Sequence, residues 1–147
     1  ASKSGYFNHA QTYSHTPVIC AVGVATVQYL KKHQLVERVA RMEGLFFEKL
    51  NELRSFPVVG DVRGKGFMAA IEFVKNKETK EPFPRSEKFA ERFTDIAFEN
   101  GLILWSNVGH VDGTNGDLVM ISPPFTVSDG EISELAAIFK HSLEKML

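Results

Sequence analysis

The hydrophobic period of the chain changes at Pro57, and this change limits the possible folds more than any other feature. Before it, residues 35–53 place apolar side chains at three- and four-residue steps, which predicts an amphipathic helix. After it, residues 58–62 and 67–74 are short strand-like runs divided by Arg63-Gly64-Lys65-Gly66, whose glycines fit a tight turn or a bulge, which predicts two antiparallel strands. The chain therefore combines helical and strand segments in separate blocks.

The segment before residue 35 predicts a further helix. Thr16 followed by Pro17 is a favourable helix start, because proline at the first helical position sacrifices no hydrogen bond. The following residues, up to about His33, are apolar on almost all sides as far as Gln28. A helix of this kind must be covered on several sides in water.

The second half of the chain predicts two strands and two helices. Ser86 is expected to cap a third helix that ends at Asn100-Gly101, and Ser128 with Glu131 forms a capping box for the last helix. Residues 102–105 and 118–121 are the expected third and fourth strands, on either side of a polar loop over residues 106–116.

This order of elements predicts an α+β fold, with about four mainly antiparallel strands, helices on one face of the sheet and a long connecting helix before it. We expect two parts. Residues 1–33 hold the long helix and the segment before it, and residues 34–147 hold the small α+β domain.

Charge and cysteine content exclude several classes of function. Seventeen basic and eighteen acidic residues give a formal net charge of -1, so the chain has no basic excess for binding nucleic acid. The single cysteine and five scattered histidines have no metal-ligand spacing, so we expect no metal site. The longest apolar run, residues 18–27, is too short to cross a membrane. The composition suits a reducing compartment, and we expect a cytoplasmic protein.

No pairing of nucleophile, base or carboxylates suggests a catalytic residue in this chain. The segment Thr12-Tyr13-Ser14 is the strongest binding candidate, because it places hydroxyl and N–H groups directly before a helix start, an arrangement that binds anions. The same spacing also fits Ser14 and Thr16 as simple helix caps, and spacing alone leaves both interpretations open.

Several motifs carry a family resemblance. The string Phe7-Asn8-His9-Ala10-Gln11-Thr12-Tyr13-Ser14-His15-Thr16-Pro17 resembles the F-x-H-G-x-T-Y-S-G-H-P segment of class III aminotransferases, which are pyridoxal-phosphate enzymes of fold type I. The resemblance continues through Val59-Gly60-Asp61-Val62-Arg63-Gly64-Lys65-Gly66-Phe67-Met68 and Gly101-Leu102-Ile103-Leu104, and ends with Gly116-Asp117-Leu118-Val119-Met120-Ile121-Ser122-Pro123-Pro124-Phe125. It covers the C-terminal part of such an enzyme: the end of the cofactor-binding domain, the connecting helix and the small C-terminal domain.

The resemblance implies a role in holding pyridoxal 5'-phosphate. The family's phosphate-binding threonine, which one subunit donates to the cofactor of its partner in a homodimer, falls on Thr12, and Gln11 beside it adds a contact. The catalytic lysine and the aspartate that pairs with the pyridine nitrogen belong to the large domain upstream. The resemblance therefore implies that this segment alone is inactive and needs its large domain and a second subunit.

The substrate side departs from the family pattern at Trp105. Many relatives have at this position an arginine that grips a substrate carboxylate, whereas residues 101–147 here contain no arginine. Trp105 and the 106–116 loop are therefore expected to line an apolar or aromatic amine pocket. The resemblance implies transfer of an amino group from an amine or ω-amino acid to a 2-oxo acid. Alternatives are a non-catalytic α+β ligand-binding or assembly module, and a purely structural part of a larger protein.

Overall fold

A computed structural model describes Gly5 and residues 11–147. The remaining residues of the first motif, including the stretch from Phe7 to Ala10, lie outside the described part. The chain divides into two compact units, Ala1–Val36 and Glu37–Leu147.

The first unit contains helix α1, Pro17–Lys32. Thr16 occupies the N-cap position in an extended conformation, and Pro17 is the first helical residue, as predicted. None of the residues of α1 is buried, and even its apolar side chains face solvent: Val18 and Val22 are 72% and 62% exposed. An uncovered apolar helix of this kind is typical of a segment that packs against other protein.

The second unit is built from a four-stranded antiparallel sheet and three helices. Helix α2 spans Leu35–Asn51 and begins just before the boundary between the two units. The strands are β1 (Val59–Lys65), β2 (Met68–Phe73), β3 (Trp105–Val108) and β4 (Asp117–Ile121), in the spatial order β1-β2-β4-β3. Helices α3 (Phe89–Glu99) and α4 (Asp129–Met146) complete the unit. The predicted α+β fold with about four antiparallel strands is confirmed.

The core of the second unit lies between the helices and one face of the sheet. Three aromatic side chains mark its centre: the Phe93 ring lies 5.1 Å from that of Phe73 on β2 and 4.6 Å from that of Phe139 on α4. All three are at most 1% exposed. Because side chains alternate along a strand, the opposite face of the sheet carries a separate set of residues.

The helix that follows residue 88 begins differently from the prediction. Ser86 lies in a short 3-10 helix, Arg85–Glu87, and does not cap α3. Lys88 adopts a left-handed conformation at φ 48° and separates the two helices, and no side-chain cap comes from Lys88 itself. The acceptor comes instead from Asp117 on β4, whose Oδ1 accepts a hydrogen bond from the backbone N–H of Ala90 at 3.0 Å.

The third strand is also displaced from its predicted position. Residues 102–105 are apolar and were expected to pair, but β3 begins only at Trp105 and runs to Val108. The N–H of Leu102 donates instead to the carbonyl of Ala97, which closes the end of α3. The pairing of Val108 with Asp117 then sets the register of β3 on β4. The hydrophobicity of residue 102 therefore reflects burial against the core.

Candidate functional site

The turn before α1 holds the two residues expected at the phosphate. The N–H of Gln11 donates to Ser14 Oγ at 3.1 Å, and the N–H of Ser14 donates to the Gln11 carbonyl at 2.9 Å. Between them, Thr12 lies exposed on the turn. The reciprocal pair of bonds therefore holds the backbone on both sides of Thr12 while its side chain faces solvent.

The hydroxyl groups of this turn do not cap α1. Thr16 occupies the N-cap position but makes no side-chain capping bond, and the Ser14 hydroxyl accepts from Gln11. Of the two interpretations left open by the spacing, a side-chain cap from Thr16 is therefore not the one that the structure shows. Pro17, which has no N–H, removes one of the donors that a cap usually satisfies.

The charge around the turn favours an anion. Glu37 is the first acidic residue of the chain, so the turn and all of α1 lack carboxylates. Helices commonly carry an acidic residue in the first turn, where it interacts with the positive end of the helix dipole, and α1 has none. Hydroxyl and N–H donors beside an uncompensated helix N-terminus are suitable ligands for a phosphate group.

Trp105 borders a cleft on the face of the sheet that points away from the helices of the second unit. The cleft has a volume of about 550 Å³ and is lined by side chains from β3, β4 and the segments next to them: Ile103, Leu104, Trp105, Asn107, Met120 and Ser122. Trp105 pairs with Met120 across the two strands, so their side chains lie on the same face. Trp105 is 70% exposed and is the only tryptophan of the chain.

A second concavity of about 480 Å³ adjoins this cleft on the same face and shares Asn107 and Met120 with it. It extends across β4 and β2 to Arg63 and Lys65 on β1, and His110 lies at its border. The Asn107 amide nitrogen donates to Met120 Sδ at 3.6 Å, so these two side chains are in contact where the concavities meet.

The charged groups that β1 and β2 place on this face are ion-paired, and Lys65 pairs with Glu43 of α2 at 3.0 Å. Arg63 donates to Asp61 Oδ2 at 3.1 Å and also to Glu72, and Arg54 donates to Asp61 Oδ1 at 2.8 Å. The hydrogen bond to Glu72 raises the pKa of Arg63. Burial opposes ionisation of Asp61, but the hydrogen bonds from Arg54 and Arg63 outweigh it and lower the pKa of that carboxyl. Two carboxylates thus neutralise the guanidinium of Arg63.

The loop between β3 and β4 is internally braced. Asp112 accepts hydrogen bonds from the N–H groups of Thr114 and Asn115 and from the Asn115 amide, and these bonds lower its pKa. Asn115 Oδ1 in turn accepts from the N–H of Arg85 at 3.0 Å. The predicted loop over residues 106–116 is shorter in the structure, because β3 runs to Val108. It is a fixed turn rather than a long open loop.

Asp117 is a structurally important residue that the sequence analysis missed. It is 1% exposed, and burial raises the pKa of its carboxyl even though the N–H of Ala90 hydrogen-bonds to it. An aspartate directly before the apolar run over residues 118–121 was the available signal. Its partner could not be inferred, because the contact spans 27 positions in the chain.

The structure places the predicted site residues in both units. Gln11 and Thr12 lie together in the turn of the first unit, and Trp105 lies on β3 of the second. Among the described residues, no group of three histidine, cysteine, aspartate or glutamate side chains is arranged to hold a metal ion. Within that same part of the chain, no helix has the length and apolarity needed to cross a membrane.

Comparison with known proteins identifies the family. The sequence model of the family 'Aminotransferase class-III' matches residues 2–143 of this chain. The chain is 35% identical over 141 residues to the aminotransferase YodT of Bacillus subtilis, an alignment that covers 95% of this chain and 32% of YodT. The chain thus spans about a third of the length of that relative.

Solved structures agree with this assignment. An (S)-enantioselective omega-transaminase from Thermomicrobium roseum superposes with a TM-score of 0.84 at 31% identity, covering 99% of this chain and 31% of the other. The PMP-bound aminotransferase of Vibrio fluvialis superposes with a TM-score of 0.82 at 31% identity, covering 95% and 29%. The chain belongs to the class-III aminotransferase family.

Proposed function

We propose that this chain is the C-terminal part of a pyridoxal-phosphate-dependent aminotransferase. The enzyme transfers an amino group from an amine or ω-amino acid to a 2-oxo acid. The donor's C–N bond is replaced by a carbonyl while the acceptor's 2-oxo carbon becomes an amino-bearing carbon, so the exchange needs no external oxidant or reductant. The observation that carries the proposal is the match to the family along residues 2–143, together with its agreement with transaminase structures.

In this proposal, Thr12 and Gln11 hold the phosphate of pyridoxal 5'-phosphate bound to the other subunit of a homodimer. The exposed Thr12 hydroxyl, the braced backbone of the turn and the absence of carboxylates before Glu37 support an anion at this position. A relative that binds PMP, the pyridoxamine form of the same cofactor, adds support. When bound, the cofactor supplies the electron sink, and protein groups hold and orient it.

The remaining catalytic groups come from outside this chain. All eleven lysines here stand in polar or turn contexts, whereas the lysine that binds the cofactor needs a desolvated setting. We therefore propose that the upstream large domain supplies that lysine and that the 147 residues alone are inactive. The exposed apolar surface of α1 is consistent with a helix that packs against this domain.

In this proposal, Trp105 forms part of the wall of the substrate cleft. The proposed compartment of the protein is the cytoplasm. The single cysteine is consistent with a reducing environment. We propose small-molecule amines and 2-oxo acids as the ligands.

The direct test replaces Thr12 in the complete protein. Thr12→Val removes the hydroxyl at nearly constant volume, and losing one hydrogen bond to a charged group costs about 1.5–3 kcal/mol, or about 10- to 100-fold in cofactor affinity. Thr12→Ser keeps the hydroxyl and should retain most of the affinity. Thr26→Val is the matched control, because the Thr26 hydroxyl donates to the Val22 carbonyl within α1, away from the turn that holds Thr12.

Cofactor dissociation constants, measured by absorbance titration, decide the outcome. Unchanged affinity in Thr12→Val, together with a loss of helical content, would show that Thr12 only stabilises the helix start. Failure of the complete protein to transaminate any amine in the presence of the cofactor would refute the proposed activity.

A further inference from the structure

The two faces of the sheet differ in what covers them. Ala69, Ile71 and Phe73 on β2 point to the helices and are at most 2% exposed. The register pairs Lys65 with Met68, Ala70 with Met120, and Met120 with Trp105, which places these residues on the opposite face. Within the described part of the second unit, Met68 and Trp105 on that face are 59% and 70% exposed.

The open face has a charged half and an uncharged half. On β1 and β2, Asp61, Arg63 and Glu72 form an ion-paired group. On β3 and β4, the described residues that line the cleft around Trp105 include no charged side chain, and Asn107 and Ser122 supply an amide and a hydroxyl group there. The two cations nearest the cleft on this face are both ion-paired: Arg63 with Asp61 and Glu72, and Lys65 with Glu43 at 3.0 Å.

This lining discriminates between kinds of ligand. A carboxylate that enters the cleft gives up hydration and finds neutral polar atoms without a cation, which is unfavourable. An aryl or branched alkyl group instead contacts the indole of Trp105 and the thioether of Met120, both of which interact well with apolar and aromatic groups. The volume of about 550 Å³ is in the range of small-molecule sites that are mostly apolar with a few polar groups.

We propose that the Trp105 cleft binds the uncharged aryl or branched-alkyl end of the amine donor and disfavours donors that place a carboxylate there. Trp105 and Met120 are the specificity-determining residues. This inference rests on the proposed function and selects among its donors: apolar amines over ω-amino acids.

The test compares two donors on the complete enzyme with one 2-oxo acid acceptor. We expect kcat/KM for 1-phenylethylamine to exceed that for 4-aminobutyrate by about tenfold or more, since tenfold corresponds to about 1.4 kcal/mol of differential binding. Trp105→Arg, which places a cation in the cleft, should lower this ratio by about tenfold or more. Trp105→Phe keeps the aromatic surface and should preserve the preference.

Phe98→Ala is the matched control. Phe98 lies on α3, outside the cleft lining, and is 66% exposed, so its removal changes apolar surface without changing the cleft. This variant should leave the donor ratio unchanged. Equal use of both donors, a preference for 4-aminobutyrate, or an unchanged ratio in Trp105→Arg would overturn the inference.

Tryptophan fluorescence separates this inference from the proposed activity. Binding of 1-phenylethylamine should change the fluorescence difference between the native protein and Trp105→Phe, whereas 4-aminobutyrate at the same concentration should not. A selective change without any turnover would support the cleft's specificity while refuting transamination. No change with the aryl amine would refute the cleft assignment whatever the activity.

Discussion

Asp117 gives the sharpest prediction for stability, because its carboxyl combines a favourable hydrogen bond with an unfavourable burial. Asp117 Oδ1 accepts a hydrogen bond from the N–H of Ala90, which is the second residue of α3. Asp117 therefore acts as an N-cap for this helix, although it lies on a strand that is distant in the sequence. The same carboxyl is almost fully buried, and burial raises its pKa. Replacing it by asparagine keeps an acceptor oxygen and removes the charge.

The two substitutions at this position should therefore differ. Asp117→Ala removes the acceptor and leaves the buried Ala90 N–H unpaired, which costs about 1–3 kcal/mol in the free energy of unfolding. Asp117→Asn should stay within about 0.5 kcal/mol of the native protein, because relief of the buried charge offsets the weaker interaction with the helix dipole, typically about 0.3–1 kcal/mol.

The pH dependence provides an independent check of the same reasoning. Because the folded-state pKa of Asp117 lies above the unfolded value, its contribution to stability is fully present below the unfolded pKa and is lost as the pH rises through the folded pKa. The stability of Asp117→Asn relative to the native protein should therefore be greatest at neutral pH and decline on acidification. Comparing the two proteins cancels the opposite trend from carboxyls with lowered pKa, such as Asp61.

Urea denaturation followed by circular dichroism measures both effects. The reasoning is refuted if Asp117→Asn is as destabilised as Asp117→Ala, since the negative charge rather than the acceptor oxygen would then be the stabilising element. It is also refuted if the difference between Asp117→Asn and the native protein does not change with pH.

Two further predictions concern backbone packing. Gly64→Ala should destabilise the domain by about 2 kcal/mol or more, because the added Cβ would lie 2.0 Å from the Met68 carbonyl oxygen. Gly44→Ala in α2 should instead stabilise the domain by about 0.5–1 kcal/mol, because nothing lies within 4 Å of the added Cβ. Equal effects of the two changes in urea denaturation would contradict this account. Arg38 donates to the carbonyls of Phe125, at 2.6 Å, and Val127. Arg38→Lys keeps the positive charge but loses the paired N–H groups of the guanidinium, and its free energy of unfolding should fall by about 1–3 kcal/mol in the same assay. A variant as stable as the native protein would show that these paired hydrogen bonds contribute nothing.

The sequence was sufficient where local chemistry decides the structure. Thr16-Pro17 predicted the start of α1, and the Ser128–Glu131 capping box is present, with the N–H of Ser128 donating to Glu131 at 2.7 Å. The antiparallel pairing of β1 with β2 is confirmed, but the predicted turn at residues 63–66 is wrong, because Arg63, Gly64 and Lys65 continue β1 and pair with β2. These features depend on neighbours within a few positions.

Contacts between distant segments could not be predicted in the same way. The cap of α3 comes from Asp117, so the helix begins at Phe89 without a local signal, and β3 starts later than its apolar residues suggest. The cleft around Trp105 includes Met120 because the register of β3 on β4 places the two side chains together. The single tryptophan could be predicted from the sequence as a candidate substrate-binding residue. The uncharged residues around it could be identified only from the pairing of the strands in the sheet.

The central claim, that Thr12 anchors a cofactor across a subunit boundary, is tested most directly in a mixed dimer. One subunit carries Thr12→Val and keeps the catalytic lysine that we propose for the upstream domain, and the other carries Thr12 with that lysine replaced. If Thr12 acts in trans, the site with the intact lysine also receives an intact Thr12, and the mixed dimer regains one tight cofactor site with activity. If neither cofactor affinity nor activity rises above that of the Thr12→Val homodimer, Thr12 does not act across the boundary and the account is contradicted.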